Sequence, residues 1–418
     1  MTRPRAVFVI TGSELVRGER TDLNGPYLAR QALALGLEPA RLLIVGVGED
    51  ELAGALAQGL DAELCVTSGG LGPTHDDRTV ELVARAAGVE LELREDLHEQ
   101  IGAVSRGFAA RMKRPYADFE HGVRKQATLP KGAISLGLAG TAPGSVLEAN
   151  GTVIVVLPGP PVELQRLWPR ALETEPVRRV LERAHPPHRR ILRFFGTSES
   201  AIAQALAAAG GEREGVEATI CARDFEIHVD LVVAPGFERQ ADELEAALVA
   251  PVAQYLFGRD ERSVEEVVLD LCRTRGLTLA TAESCTGGLV AARLTGVPGS
   301  SAVFRGGVVA YADELKEREL GVPAALLAEH GAVSAEVALA MAQGARERLG
   351  VDVAVSVTGI AGPDGGSEEK PVGLVHFAAA GPDGVLAHEF TVPGDRATIR
   401  ARAAVMALHL VRRLLTQS

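Results

Sequence analysis

Aliphatic runs alternate with amphipathic stretches along most of the chain. In residues 1–168 the apolar runs are Ala6–Thr11 (AVFVIT), Arg41–Val47 (RLLIVGV), Glu63–Ser68 (ELCVTS) and Thr152–Leu157 (TVIVVL). Unbroken aliphatic runs of this length predict strands buried on both faces, and the stretches between them, including 22–36 and 76–87, predict covering helices. The pattern is that of a parallel α/β sheet. Prolines then punctuate the chain at 158, 160, 161, 169, 176, 186 and 187. A helix is predicted to start at Pro160–Pro161, where proline suits a first turn, and His185–His188 reads as a linker. Within a middle domain at 169–258, residues 190–257 read as a small α+β unit. Its clearest strand is Phe225–Leu231, which alternates apolar and polar residues, and its helices are expected at 200–209 and 238–255. The last domain, 259–418, repeats the α/β pattern. Strands are predicted at Thr278–Ala282, Gly306–Ala310, Val353–Val357 and Leu374–Ala378, and helices at 264–275, 287–294, 334–349 and 397–415.

Composition narrows the class. Hydrophobic residues make up 46% of the 418 positions and aromatics only 4%, which suits aliphatic α/β cores. The formal net charge of −12 argues against direct binding of nucleic acid or an anionic membrane, both of which call for a basic surface. The basic cluster Arg106, Arg111, Lys113 and Arg114 reads as a solvated helix face. The four cysteines, Cys65, Cys221, Cys272 and Cys285, form no Cys-x-x-Cys pair. That disfavours a disulfide scaffold or structural zinc and fits a reducing cytoplasm. No run approaches the roughly 20 apolar residues of a membrane span.

Candidate chemistry gathers where strands end. Glu283-Ser284-Cys285-Thr286-Gly287-Gly288 follows a predicted strand and opens a helix. Ser284 there can be a nucleophile, with the free N–H groups of the first helical turn as a built-in oxyanion hole. The same residues serve equally as a helix cap. Cys285 is a rival nucleophile, or else a small residue packing the turn. A serine needs a base, and Lys316 in YADELK is the candidate. Desolvation makes a lysine easier to deprotonate, although taken alone this one reads as a solvated residue of a charged helix. The loop Ser356–Pro363, with Thr358 and Gly359, also follows an apolar strand, so Ser284, Tyr311 and Thr358 share one kind of strand end. In open α/β sheets ligands bind there. Arg396 and Arg400, at a predicted helix start, suit a phosphate or a surface ion pair.

In the N-terminal part, Thr67–Thr79 follows a strand and precedes a helix. Its Gly69, Gly70 and Gly72 can offer backbone N–H groups to phosphate. Asp76 and Asp77 would repel a bare phosphate, so a bridging divalent cation is chemically reasonable. Capping of the helix dipole is the ordinary alternative. Asp22, Asn24 and Asp50 are further polar residues near loop ends.

The segments ESCTGG, YADELK, SVTGIAGPDGG and GDRATIR, in that order over residues 260–415, resemble the nicotinamide mononucleotide deamidase domain of CinA-type competence/damage-inducible proteins. The resemblance implies that Ser284 is the nucleophile and Lys316 its general base. It implies that Tyr311 and Thr358 position substrate and stabilise the oxyanion, that Thr286, Gly287, Gly288 and Gly359 line the substrate, and that Arg396 or Arg400 binds the 5′-phosphate. No metal is implied. TGSELVRGERTDLN, SGGLGPTHDDRT, AGTAPG and LPGPPVEL resemble the molybdopterin-binding fold, and within it the CinA N-terminal domain. This likeness implies a three-layer N-terminal domain, a small KH-like α+β connecting domain and a C-terminal α/β deamidase domain. It places functional aspartates at Asp50 and Asp77, with Gly69, Gly70, Gly72, Thr74, His75 and Asn24 around the substrate and a divalent cation at Asp76 and Asp77. Position 13, often acidic in that group, is serine here. The implied activities are deamidation of nicotinamide mononucleotide and metal-dependent hydrolysis of ADP-ribose to AMP and ribose 5-phosphate, in a cytoplasmic homodimer. The alternatives are an adaptor that binds a protein partner, and an N-terminal domain acting on a molybdopterin-type substrate.

Overall fold

The computed structural model describes residues 3–417. The chain divides into two compact units. The first runs to His188 and takes in Val233–Glu238; the second comprises Arg189–Val232 and the chain from Arg239 onward.

The first unit is built on a six-stranded sheet in the order Glu38–Val45, Arg5–Thr11, Leu64–Ser68, Thr152–Leu157, Pro143–Ala149, Ile134–Leu138. The first four strands are parallel, and the last two join antiparallel. The sheet is therefore mixed, not purely parallel. Alternation along Arg5–Thr11 shows why the predicted strands are aliphatic throughout. Ala6, Phe8 and Ile10 enter a core with Leu28, Leu164 and Trp168 on one face. Val7 and Val9 enter another with Leu52, Leu56 and Leu82 on the other. Helix Pro161–Leu172 starts where the prolines predicted, with Pro160 as its cap. The segment between the third and fifth strands adds helices Glu95–Met112 and Ala117–Gln126 and a two-stranded ribbon of Leu91–Leu93 with Thr128–Pro130.

The second unit holds a four-stranded sheet, ordered Val216–Arg223, Glu226–Val233, His188–Phe194, Leu256–Gly258, and a five-stranded sheet. The expected linker at His185–His188 runs straight into a strand, and the helix expected over 238–255 ends at Val249. Pro251 lies at the start of the 3₁₀ turn Ala250–Tyr255 that follows, because proline removes the donor an α-helix needs there. The five-stranded sheet is ordered Phe304–Val309, Leu279–Glu283, Val353–Gly359, Leu374–Gly381, Gly384–Thr391. Its first three strands are parallel and the last two antiparallel. Leu279, Val355 and Val357 face a core shared with helices Val264–Thr274 and Arg396–Thr416. Ala280, Ala282 and Ala354 face the opposite core, under helices Asp313–Leu320 and Ala335–Arg348. Among the described residues no helix is long and apolar enough to cross a membrane.

Candidate active sites

Register fixes the C-terminal site. Glu283 stands beside Val309 on one neighbouring strand and Val357 on the other. Ser284, Tyr311 and Thr358 therefore emerge at one edge of the sheet. Side chains alternate along a strand. Ser284 thus continues the Ala280–Ala282 face, and Thr358 continues the Ala354–Ser356 face. Helix Asp313–Leu320, which carries Lys316, covers that same face. The solvated reading of Lys316 is excluded: its side chain is 1% exposed. Its ammonium donates to Tyr311 O at 3.2 Å and to Asp313 Oδ1 at 3.1 Å. Ser284 is nearly buried, at 8% exposure, and its N–H donates to Val357 O at 2.8 Å. No hydrogen bond joins Ser284 Oγ to Lys316 Nζ among the described residues; such bonds often close only when substrate arrives.

The four C-terminal motifs are tied together by hydrogen bonds. Arg396 donates to Tyr311 Oη at 2.9 Å and to Gly362 O at 2.7 Å. Arg400 donates to Cys285 O at 3.0 Å and to Thr286 O at 2.8 Å. The two arginines thus have different work. Arg396 and Tyr311 are exposed at the rim, open to an anion, whereas Arg400 struts the turn behind Ser284. Thr358 Oγ1 donates inward to Ala332 O at 2.7 Å, which leaves that hydroxyl committed to the fold. Gly359 packs closely as well, since a Cβ there would stand 2.7 Å from Leu374 O.

Of the three N–H groups the sequence indicates, at Thr286–Gly288, those of Gly287 and Gly288 are already taken within the fold, and that of Thr286 is not bonded to a carbonyl among the described residues. Glu283 accepts from Gly288 N at 2.9 Å, Val290 N at 3.0 Å and Ala291 N at 2.8 Å, and Gly287 N donates to Ser284 O at 3.0 Å. Gly287 and Gly288 supply the turn with φ of 59° and 94°, not with free N–H groups. Among the described residues the N–H groups of Cys285 and Thr286 have no carbonyl partner; they lie next to Ser284 and within reach of the Cys285 sulfur. Cys285 itself is 4% exposed. Burial, helped by the Glu283 carboxylate, pushes its thiol up to about 12, so it is a core residue and not a rival thiolate. The sequence reading gave Glu283 no role, although its carboxylate binds three backbone N–H groups. Its signal was a carboxylate at the end of an otherwise apolar strand.

In the first unit, Thr11, Ser68 and Leu157 end three neighbouring parallel strands, with Gly69 and Gly70 in the turn between. A Cβ on Gly69 would stand 2.4 Å from Thr11 O, and one on Gly70 2.3 Å from Thr79 Oγ1. Two clefts flank this turn. One, of about 450 Å³, is lined by Thr11, Glu14, Arg20, Asp22, Asn24 and Ser68 among others. The other, of about 330 Å³, is lined by Gly70, Gly72, Asp77, His121, Arg124 and Lys125 among others. Asn24 donates to Ser68 Oγ at 3.0 Å and to Gly159 O at 2.7 Å, while its buried Oδ1 has no partner among the described residues. Asp77 reaches a cleft, whereas Asp50, exposed in the first turn of helix Glu49–Gly59, is not among the lining residues of either. His75 points fully into solvent. Ser13 Oγ accepts from Val47 N at 3.5 Å, a contact between loops.

Asp76 Oδ1 and Asp77 Oδ2 both lie within hydrogen-bond distance of Thr74 Oγ1, which has one proton to give. Those bonds, the Thr74 hydroxyl first, hold the Asp76 carboxyl below its ordinary range. Among the described residues no group of three or more His, Cys, Asp or Glu side chains is placed to hold a metal. Two converging carboxylates fit a hard, oxygen-seeking cation only if phosphate oxygens and water complete its shell.

The fold and these sites define a protein that joins a molybdopterin-binding-type sheet to a second α/β sheet carrying Ser284 and a buried lysine, Lys316, at one edge. The family described as probable molybdopterin binding domain matches residues 7–176, and that described as CinA C-terminal domain matches residues 261–415. A CinA-like protein of Mycolicibacterium paratuberculosis is 43% identical, over 99% of each chain. One from Mycobacterium sp. (strain MCS) is 44% identical, over 98% of this chain and 99% of that one. Among solved structures, the competence/damage inducible protein CihA from Agrobacterium tumefaciens is 44% identical over 38% of this chain and 99% of its own, with a TM-score of 0.36. The chain belongs to the CinA-like family.

Proposed function

We propose that the C-terminal site deamidates nicotinamide mononucleotide. The observation that carries this reading is a buried lysine, Lys316, on the same sheet face as Ser284, at an edge where four separate motifs meet. Arg396, with Tyr311 beside it, binds the 5′-phosphate as a charge-assisted anchor. Lys316, in its neutral form, takes the proton from Ser284 Oγ as that oxygen bonds to the carboxamide carbon. The N–H groups of Cys285 and Thr286 hold the resulting oxyanion. Lys316 returns the proton to nitrogen, the C–N bond breaks, and ammonia leaves. Water then attacks the ester carbon, giving up its proton to Lys316. Ser284 departs protonated, and nicotinic acid mononucleotide is released. The test is ammonia release by the wild type and by Ser284→Ala: full activity in the variant would remove Ser284 as nucleophile, and none in the wild type would favour an adaptor role.

For the first unit we infer hydrolysis of ADP-ribose to AMP and ribose 5-phosphate. Two clefts on either side of one glycine turn suit a substrate with a group on each side of a pyrophosphate. A divalent cation held by Asp76, Asp77 and the phosphates would supply charge neutralisation at phosphorus. The chain's own part is to lay Gly69 and Gly70 against the pyrophosphate and to orient the substrate through Asn24 Oδ1, an acceptor with no partner in the fold. AMP formed from ADP-ribose, dependent on added divalent metal, tests this reading.

A further inference from the structure

Glu283 ends the strand Leu279–Glu283, and its side chain is buried, the residue being 1% exposed. Strand alternation points it to the face opposite Ser284, so it does not exchange a proton with the nucleophile. Its carboxylate faces the start of helix Leu289–Thr295, where it accepts the N–H groups of Gly288, Val290 and Ala291. A helix start leaves four backbone donors without intrahelical partners, and most of this helix's are taken by one side chain. The two oxygens divide the work: Oε2 takes Gly288 and Val290, and Oε1 takes Ala291. Strand end and helix start are thereby bound into one body, and the only backbone between them is the Ser284–Gly288 turn. Arg400 holds the same turn from its carbonyl side. Both glycines of the turn sit at positive φ, a conformation without Cβ restraint, so these two side chains add their hold to the backbone bonds of Ser284 and Gly287.

We propose that Glu283 is a positioning residue for the deamidation: a buried carboxylate that fastens the helix start to the strand end, so that the Ser284–Gly288 turn keeps one conformation and holds the Cys285 and Thr286 N–H groups in place for the oxyanion. The inference rests on the deamidase reading of Ser284. It also bears on the choice of nucleophile. Burial first, with the Glu283 charge adding to it, keeps the Cys285 thiol protonated.

The test uses the full chain and two variants. In Glu283→Gln one oxygen becomes an NH₂ donor facing an N–H donor, so at least one of the three bonds is lost. In Glu283→Asp the charge stays but the shorter arm gives up reach. Ammonia release from nicotinamide mononucleotide gives kcat and KM, and amide hydrogen exchange reads Gly288, Val290 and Ala291 directly. For Glu283→Gln we expect faster exchange at those amides, kcat lower by about tenfold to a hundredfold, as for a misplaced reacting group, and KM within about threefold, because the Arg396–Tyr311 anchor is untouched. Glu283→Asp should fall between variant and wild type, and it carries the test if Glu283→Gln does not fold. Unchanged exchange overturns the cap, and unchanged kcat with faster exchange overturns the positioning role. A KM effect with kcat preserved also overturns it, by making Glu283 part of substrate binding. If the wild type releases no ammonia, the deamidase reading fails and takes the positioning role with it. If the wild type is active and both variants match it, only the positioning role fails.

Discussion

The two sheets each end in a glycine-paired turn, Ser68-Gly69-Gly70 and Ser284–Gly288, and the two turns are finished in opposite ways. In the C-terminal turn the helix donors are consumed by Glu283 and the carbonyls by Arg400, which leaves a few groups around one hydroxyl. In the N-terminal turn the next helix, Thr79–Ala87, starts well beyond the glycines. Thr79 Oγ1 holds Gly69 O at 2.8 Å, clefts open on both sides, and Asn24 Oδ1 is left without a partner. A glycine turn at a strand end therefore does not announce phosphate binding by itself. What matters is which of its N–H groups the fold has already used. On the functions proposed above, the C-terminal turn would serve covalent chemistry at a point, and the N-terminal one would hold an extended ligand.

The sharpest way to break this contrast is Ser284→Ala. If the C-terminal turn acts through a nucleophile, ammonia release from nicotinamide mononucleotide should drop at least about a thousandfold, while AMP formation from ADP-ribose stays at the wild-type rate. Loss of both activities together would show that the turns do not work separately. Next in size is Asp77→Asn, which keeps shape and removes charge. AMP formation should fall on the order of a hundredfold and its dependence on divalent metal should weaken, with ammonia release unchanged. A variant with normal AMP formation at every metal concentration would take Asp77 out of the site.

The sequence shows the parallel strands and the strand-end motifs because both are local signals: an aliphatic run, then Gly, Ser or Thr. What it hides is assembled from afar. Gly384–Thr391 is an edge strand with nearly every residue exposed, so it carries no two-residue alternation to detect. Pro143–Ala149 and Ile134–Leu138 begin beside or contain Pro and Gly, which read as turns. That the Gly288 N–H, one of the expected Thr286–Gly288 donors, is already taken was hidden because a helix cap is normally sought just before the helix, whereas Glu283 reaches forward from a strand. The cluster around His409 was hidden for the same reason, since its partner Glu226 is 183 residues away.

That cluster offers a comparison by acid. His409, on the helix that also carries Arg396 and Arg400, stacks on Phe195 at 3.6 Å. Its Nε2–H donates to Glu226 Oε1 at 2.9 Å, and its Nδ1 accepts from Arg412 Nε at 3.3 Å, an arrangement for the neutral ring. Burial lowers its pKa from 6.5 to about 4. Burial raises Glu226, but its bonds to His228 and His409 and the nearby Arg193 outweigh that and bring it to about 2. Both folded values lie below the unfolded ones. The His409 stability is thus complete above about pH 6.5 and is lost as pH falls toward 4, and the Glu226 share is lost only below about 4.5. Between pH 7 and pH 5 the histidine should cost the second unit on the order of 2 kcal/mol. Denaturant unfolding of His409→Leu should lack that slope, and equal slopes in variant and wild type would refute the assignment.

The smallest expected effects separate the two arginines, and they bear most directly on how the C-terminal turn is finished. Arg396 faces the rim, where it donates to Tyr311 Oη and to Gly362 O. Its removal should raise KM for nicotinamide mononucleotide about tenfold and leave kcat nearly alone, the signature of binding shared by ground and transition states. Arg400 holds the carbonyls of Cys285 and Thr286. A carbonyl released from such a clamp can rotate, and the N–H of the next residue rotates with it because the peptide is planar. Arg400→Ala should therefore lower kcat about tenfold with little change in KM, through the donors it no longer orients. Arg400→Lys should not restore it, since an ammonium lacks the rigid fork that meets two acceptors together. If Arg400→Ala instead raises KM and spares kcat, Arg400 is the phosphate arm, and the turn is braced by Glu283 alone.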